Sequence, residues 1–168
     1  MDESPAPSPP FSPEVLERMR AIGLRLDRAG TFWHEGAAVT HPRLRQALLR
    51  WLDVTDDGRD IVRLDDKRYA YVEIEDAHLR ARSARWDGDR CFVLWDDDQE
   101  AELDYQSLRQ APDHALYARA RDRLRGRIAG PAYHAVAERI VEATTAADDA
   151  ASFQLEAAAQ RWPISGAA

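Results

Sequence analysis

Cysteine occurs once in this sequence, at Cys91, and lysine once, at Lys67. A single thiol permits no intrachain disulfide and supplies no thiolate metal cage from one chain, which suits a reducing compartment. The almost exclusive use of arginine for positive charge, beside abundant alanine, reads as coding bias. No apolar run approaches the roughly 20 residues that a bilayer-spanning helix needs. The N-terminus has neither a basic start nor an apolar segment of signal-peptide length, so a cytoplasmic location is expected. Positive charge is in deficit as well: 23 Lys and Arg against 30 Asp and Glu give a net charge of −7 and a pI near 5.2. A surface of that sign is repelled by polyanions, so neither nucleic acid nor an anionic membrane is an expected partner, although a local basic patch is compatible with it. No Gly-rich phosphate loop and no Ser-His-Asp order occurs, and no residue is assigned a catalytic role.

What is present suits a globular α+β protein. The chain has 168 residues, 45% of them apolar, enough for a core of that size. Residues 1–11, "MDESPAPSPPF", are rich in Pro and Ser without apolar periodicity and read as a disordered leader. Ser12 is an N-cap type followed by Pro13, and Val15, Leu16, Met19 and Ile22 form one helical stripe that Gly23 stops. Leu24 and Leu26, a turn at Ala29-Gly30, and Thr31 to Glu35 read as a hairpin. Thr40 or His41 can cap a second helix, with Pro42 in its first turn and Leu44, Ala47, Leu48, Trp51 and Leu52 on one face. Strands follow at Ile61 to Leu64 and Arg68 to Glu75. A meander then runs through Leu79 to Trp86, the Asp87-Gly88 turn, Arg90 to Trp95, an acidic turn at Asp96 to Asp98, and Glu100 to Leu103. After a break at "RQAPDH" come strands at Ala115 to Ala120 and Leu124 to Ile128, a helix from Ala132 to about Glu142, and a strand pair near Phe153 to Ile164.

The two later helices begin alike. Adding 89 carries Val39 to Ile128, Pro42 to Pro131, Ala47 to Val136 and Trp51 to Ile140. Strand, proline and helix recur in register, which implies two similar strand-strand-helix-strand-strand repeats, mostly of antiparallel sheet. We assign residues 12–110 to the N-terminal repeat with the meander and 111–168 to a C-terminal repeat packed on it. The groove between two such copies is a natural ligand position.

The run "GTFWHEGAAVTHPRL", then "DDG", then "YVEIEDAHL" resembles the bacterial family called domain of unknown function 1285, and "LRGRIAGPAYHAVAERI" is similar to its second half. That family's pattern is D-G-x-W-aromatic-x-x-G-x-P-I, an acidic turn, then V-E-D-A-P. Here Phe32-Trp33 inverts the aromatic order, Ala38 replaces a proline and His78 stands at the last proline, which puts any role of those positions in doubt. The resemblance covers about residues 24 to 164. It implies a two-repeat α+β architecture and a ligand-binding or signalling role with no established activity. Gly30, Trp33, Gly36, Glu75, Asp76 and Arg127 are its motif positions.

Candidate chemistry is sparse. His34 and His41 are seven apart, separated by Gly36, and do not form the H-E-x-x-H arrangement in which two histidines share a helix face around zinc, so no metal or other cofactor is expected. The acid clusters at Asp56-Asp57 and Asp96 to Asp98 lack EF-hand spacing and read as solvated turns. Glu73, Glu75 and Asp76 could pair carboxylates for acid/base work, since Glu73 and Glu75 point to the same face of a strand. Cys91 reads as a core thiol. The densest pattern is "YARARDRLRGRIAG", with arginine at 119, 121, 123, 125 and 127. A period of two places most of these on one face of a strand or hairpin, and guanidinium forks bind phosphate or carboxylate. The simpler reading is cross-strand pairing with the surplus acids. A regulatory module that binds an anionic small molecule such as a nucleotide, through Arg119, Arg121, Arg125 and Arg127 with Trp33, Glu75 and Asp76, is therefore the leading expectation. A protein-interaction module using sheet edges and Trp86, Trp95 and Trp162 is the alternative, and a hydrolase-type enzyme, which would hold Glu73, Glu75, His34 or His41 within hydrogen-bonding reach in one closed pocket, comes third.

Overall fold

A computed structural model describes residues 12–143 and 152–166. The expected leader and the Ala-rich loop after residue 143 lie outside these. Helix α1 (Pro13–Arg20) starts where Ser12 Oγ accepts from the Val15 N–H at 3.4 Å. Strands β1 (Leu24–Leu26), β2 (Phe32–His34) and β3 (Ala37–Ala38) lead to α2 (Pro42–Trp51), where His41 is the N-cap and its Nδ1 accepts from Leu44 N–H at 3.3 Å. Strands β4 (Leu52–Val54), β5 (Asp60–Arg63) and β6 (Tyr69–Ile74) complete a six-stranded sheet in the order β3-β2-β1-β6-β5-β4.

The second half begins with the expected meander: β7 (Leu79–Asp87), β8 (Arg90–Trp95) and β9 (Glu100–Glu102). A 3-10 turn at Tyr105–Ser107 precedes β10 (Arg109–Gln110), β11 (Leu116–Arg121), β12 (Leu124–Ile128), α3 (Gly130–Ala137), β13 (Ile140–Ala143), β14 (Ser152–Ala157) and β15 (Gln160–Gly166). Their sheet has nine strands, ordered β13-β14-β15-β10-β11-β12-β7-β8-β9.

The repeat is visible in these two orders. Three antiparallel strands, a helix and a three-stranded meander form each unit, and the last meander strand returns parallel to the first strand, β6 beside β1 and β15 beside β10. Each repeat thus has one strand more on either side of its helix than the periodicity indicates. Strand β10 opens the second unit, although it falls within residues 12–110. The meander hydrogen-bonds through β7 to β12 and so extends the second sheet rather than the first.

One apolar core joins the sheets, with Leu26, Phe32, Leu49 and Leu52 from the first half and Leu79, Val93, Leu116, Ile128, Val136 and Leu155 from the second all fully buried. The helices bury less than their stripes suggest. Met19, Ile22, Leu44 and Trp51 are exposed, because α2 turns Leu48 and Leu49 inward and passes Leu52 straight into β4 opposite Val62. Helix α3 stops a turn early, and Ile140 and Val141 pair with Leu155 and Gln154 as a strand. Among the described residues no helix is long and apolar enough to cross a membrane.

Candidate functional site

The arginine stripe is a hairpin face, broken once. Arg119 lies opposite Arg125 and Tyr117 opposite Arg127, so these four side chains share one side of β11–β12. The other side, Ala118, Ala120, Leu124, Gly126 and Ile128, is buried. The register shifts between Arg119 and Arg121, which places Arg121 opposite the buried Leu124. Arg121 therefore leaves the stripe. It donates to the fully buried Asp97 at 2.9 Å and to the carbonyls of Leu49 and Leu52, tying the end of α2 to the second sheet.

Across the sheet the row continues. Arg109 on β10 faces Tyr117, and Arg80 on β7 is in register with Arg127, giving Arg109, Tyr117, Arg127 and Arg80 in sequence on four adjacent strands. The β1–β2 turn of the first repeat lies against this row. Arg80 donates to the carbonyls of Asp27 (2.6 Å) and Arg28 (3.0 Å), and Arg45 donates to that of Gly30 (3.0 Å). Burial lowers the Arg80 pKa from its ordinary value. Gly30 has φ +89°, and a Cβ there would sit 2.9 Å from the Arg80 side chain, so only glycine fits.

The segment between β6 and β7 closes the other side. The Tyr117 hydroxyl donates to Asp76 Oδ1 at 2.6 Å, Arg127 donates to the Tyr117 oxygen and to Asp113 Oδ2 (2.7 Å), and Asp76 Oδ2 is 3.5 Å from Arg127. Burial, then the hydrogen bond to Asp76, raises the Tyr117 pKa. Burial opposes protonation of Arg127, but its bonds to Asp113 and Tyr117 outweigh that and raise its pKa. His78, buried, bridges the repeats: Nδ1 accepts from the Arg125 N–H at 3.0 Å, which leaves Nε2 to donate to Asp60 at 2.7 Å.

Between turn, linker and sheet is an open cleft of about 570 Å³. Three cations line it, Arg28, Arg109 and Arg125, and none of their guanidinium groups has a described carboxylate oxygen within 4.0 Å. Arg109 and Arg125 bond only to main-chain carbonyls. Of its two carboxylates, Glu75 pairs with Arg25 and accepts from the Arg28 N–H, and Asp76 accepts from Tyr117 on Oδ1, while its buried Oδ2 has no hydrogen-bond partner and lies 3.5 Å from Arg127. Ala111, Pro112 and the Tyr117 ring form an apolar wall. The cleft thus gathers three guanidinium groups outside any described ion pair in a chain of net charge −7.

Of the residues expected at a site, Glu75, Asp76 and Arg125 line this cleft, and Arg127 stands behind Tyr117. Arg119, paired with Asp104 at 2.6 Å, lines a smaller pocket next to it. Arg121 is elsewhere, and Trp33 is occupied structurally: its Nε1 donates to Asp27 at 2.8 Å and its ring carries Arg25. Arg28, Arg109 and Tyr117 were not singled out from sequence. Two come from a turn and a two-residue strand without periodicity, but Tyr117 continues the alternation that begins at Arg119. No residue of α3 lines the cleft.

Other readings change. Asp96 and Asp97 are buried rather than solvated, and burial raises the Asp96 pKa despite Arg45 at 3.2 Å. Trp95 is buried, Trp86 donates to the Ala135 carbonyl at 2.7 Å, and Trp162 stacks on Tyr105, so these tryptophans do not form an exposed docking set. Glu73, Glu75, His34 and His41 make no hydrogen bond with one another: His34 is exposed at the end of β2 and His41 caps α2. Cys91 is a core thiol whose pKa burial pushes up to about 11.

No known family's sequence profile matches the chain, and no curated protein is similar in sequence. Two crystal structures are similar in fold. A DUF1285 family protein from Silicibacter pomeroyi DSS-3 matches with a TM-score of 0.68 and 17% identity over 99% of this chain and 90% of that one. A DUF1285 family protein from Shewanella baltica OS155 matches with a TM-score of 0.56 and 15% identity over 68% of this chain and 90% of that one. The resemblance read from the sequence thus extends to the fold.

Proposed function

We propose that the protein is a non-catalytic, regulatory ligand-binding module whose inter-repeat cleft takes a phosphate-bearing small molecule such as a nucleotide. The observation that carries this reading is the convergence of Arg28, Arg109 and Arg125, without carboxylate partners, in one cleft of an acidic chain. Guanidinium forks match phosphate oxygens in bidentate fashion, and the Ala111, Pro112 and Tyr117 wall offers a surface for a ring. The net charge of the molecule opposes anions, so the local field of these three residues is what must overcome it. The reading as a binding cleft is supported by its polar groups serving structure: Glu75 pairs with Arg25, Asp76 Oδ1 accepts from Tyr117 while its Oδ2 lies 3.5 Å from Arg127, and burial and Asp76 hold the Tyr117 hydroxyl protonated.

The test is calorimetric titration of nucleotides and sugar phosphates at low and moderate salt into wild type and an Arg109→Ala, Arg125→Ala double variant. Saturable micromolar binding is expected in wild type. A charge-assisted hydrogen bond contributes about 1.5 to 3 kcal/mol, so the variant should bind at least about tenfold more weakly. No saturable binding in wild type, or equal binding in both, overturns the reading.

A further inference from the structure

The cleft does not end at Arg125. A side pocket of about 180 Å³ shares Arg109, Tyr117 and Arg125 with it and adds Arg119 and Arg123. At roughly 30 Å³ per water, that is about six water volumes, enough for a phosphoryl group and its linking atoms. Both added arginines are more than half exposed. Arg119 holds Asp104 at 2.6 Å, and Arg123 holds Asp56 at 2.6 Å and the Thr55 carbonyl at 2.9 Å. The Asp56 side chain is 97% exposed, so its pairing with Arg123 is a solvent-screened contact that contributes little and exchanges readily for another anion. Five arginines thus border two adjoining spaces that share the Arg109, Tyr117 and Arg125 wall.

From this adjacency we infer that the ligand carries two separated phosphate groups, one held in the main cleft by Arg28, Arg109 and Arg125 and the other in the side pocket by Arg119 and Arg123. The inference rests on the phosphate-binding reading above. A single phosphate can use only one of the spaces, and two phosphates on adjacent atoms cannot straddle the Tyr117 ring. Two phosphates on opposite sides of a sugar can. Arg125, common to both spaces, contributes to each.

Three probes discriminate: adenosine monophosphate, adenosine diphosphate and adenosine 3′,5′-bisphosphate, titrated into wild type, Arg123→Ala and the Arg109→Ala, Arg125→Ala variant. The bisphosphate should bind at least about tenfold tighter than either of the others, as expected for one further charge-assisted contact. Arg123→Ala, an exposed site chosen to leave folding intact, should abolish that advantage and leave monophosphate affinity unchanged, with an unaltered unfolding midpoint. Equal affinity for the diphosphate and the bisphosphate, or equal weakening of all three probes in Arg123→Ala, overturns the two-phosphate inference alone. If no probe binds wild type, the phosphate-binding reading fails with it.

Discussion

The Arg125 guanidinium donates to the main-chain carbonyl of Asp76. One residue of the second repeat's stripe is thereby anchored on the linker that leaves the first repeat, and the same linker holds Arg127 through the Asp76 carboxylate and the Arg125 backbone through His78. The cleft is consequently built by inter-repeat contacts, and its cations are positioned by the packing of two similar units rather than by one loop. Residues that fix this packing should affect stability, whereas Arg28 and Arg109 should affect binding alone.

Arg121 is the clearest case on the stability side. Its partner Asp97 is fully buried, and its remaining donors satisfy carbonyls at the end of α2. Removing one member of such a pair leaves a buried charge uncompensated, so Arg121→Ala should cost about 3 to 5 kcal/mol in urea denaturation. Adding Asp97→Leu to Arg121→Met should recover part of that loss. A cost below about 1 kcal/mol for Arg121→Ala would place the residue among the screened surface pairs.

Gly126 sits on β12 with its back to the Trp95 ring, and a Cβ there would collide with it. Neither β12 nor the indole has room to retreat, because β12 is paired on both sides within the nine-stranded sheet and Trp95 is buried. Gly126→Ala is expected to cost about 1 to 3 kcal/mol by overpacking. Trp95→Leu in the same chain should restore part of it, since the smaller side chain makes the space. An alanine variant as stable as wild type would mean that the indole has somewhere else to go.

How much of this could be read beforehand depended on periodicity. The hairpins, the meander around Asp87-Gly88 and the His41-Pro42 helix start all carry local signals, and each formed as expected. The second helix start gave the repeat, because Pro42 and Pro131 fall in register. Strands β10 and β4, of two and three residues, are too short to show alternation; β10 exists by pairing with β11 and the distant β15, and β4 by pairing with β5. The bulge that removes Arg121 from the stripe is likewise invisible, since the sequence alternates without interruption through it. Of the cleft's cations, Arg125 alone belongs to the stripe that spacing makes legible. Arg28 and Arg109 reach the cleft only through tertiary packing.

The β14–β15 turn offers a gain rather than a loss. Ala158 and Ala159 both have positive φ, 48° and 56°, a conformation in which Cβ crowds the backbone. Ala158 packs against the core, but Ala159 is exposed and its side chain contributes little. Ala159→Gly should therefore stabilise by about 1 kcal/mol, measured as a raised denaturation midpoint with an unchanged slope. A lowered midpoint would show that the alanine's restriction of the unfolded chain outweighs its strain in the folded one.

Asp27 tests whether Trp33 is structural, and it does so through pH. Its Oδ1 accepts from the Thr31 N–H and its Oδ2 from the Trp33 indole N–H, both at 2.8 Å. Burial disfavours the charged form, but the hydrogen bonds from Trp33 and Thr31 outweigh it and hold the carboxyl below its ordinary value of 3.8. A folded-state pKa below the unfolded one means that the charged carboxylate stabilises the fold. That stabilisation is fully present above about pH 4, where the unfolded group is also ionised, and is lost as pH falls through the depressed folded value. In Asp27→Asn one of the two N–H donors faces an amide NH₂ instead of an oxygen, so the variant should be less stable by about 1 to 2 kcal/mol at pH 6. The gap should then narrow as pH is lowered from 4 to 3, because the wild type loses its advantage and the variant has none to lose. Denaturation at pH 6, 4 and 3 measures it. A gap that stays constant across these values would show that packing around Trp33, and not the carboxylate charge, holds the β1–β2 turn that carries Arg28 into the cleft.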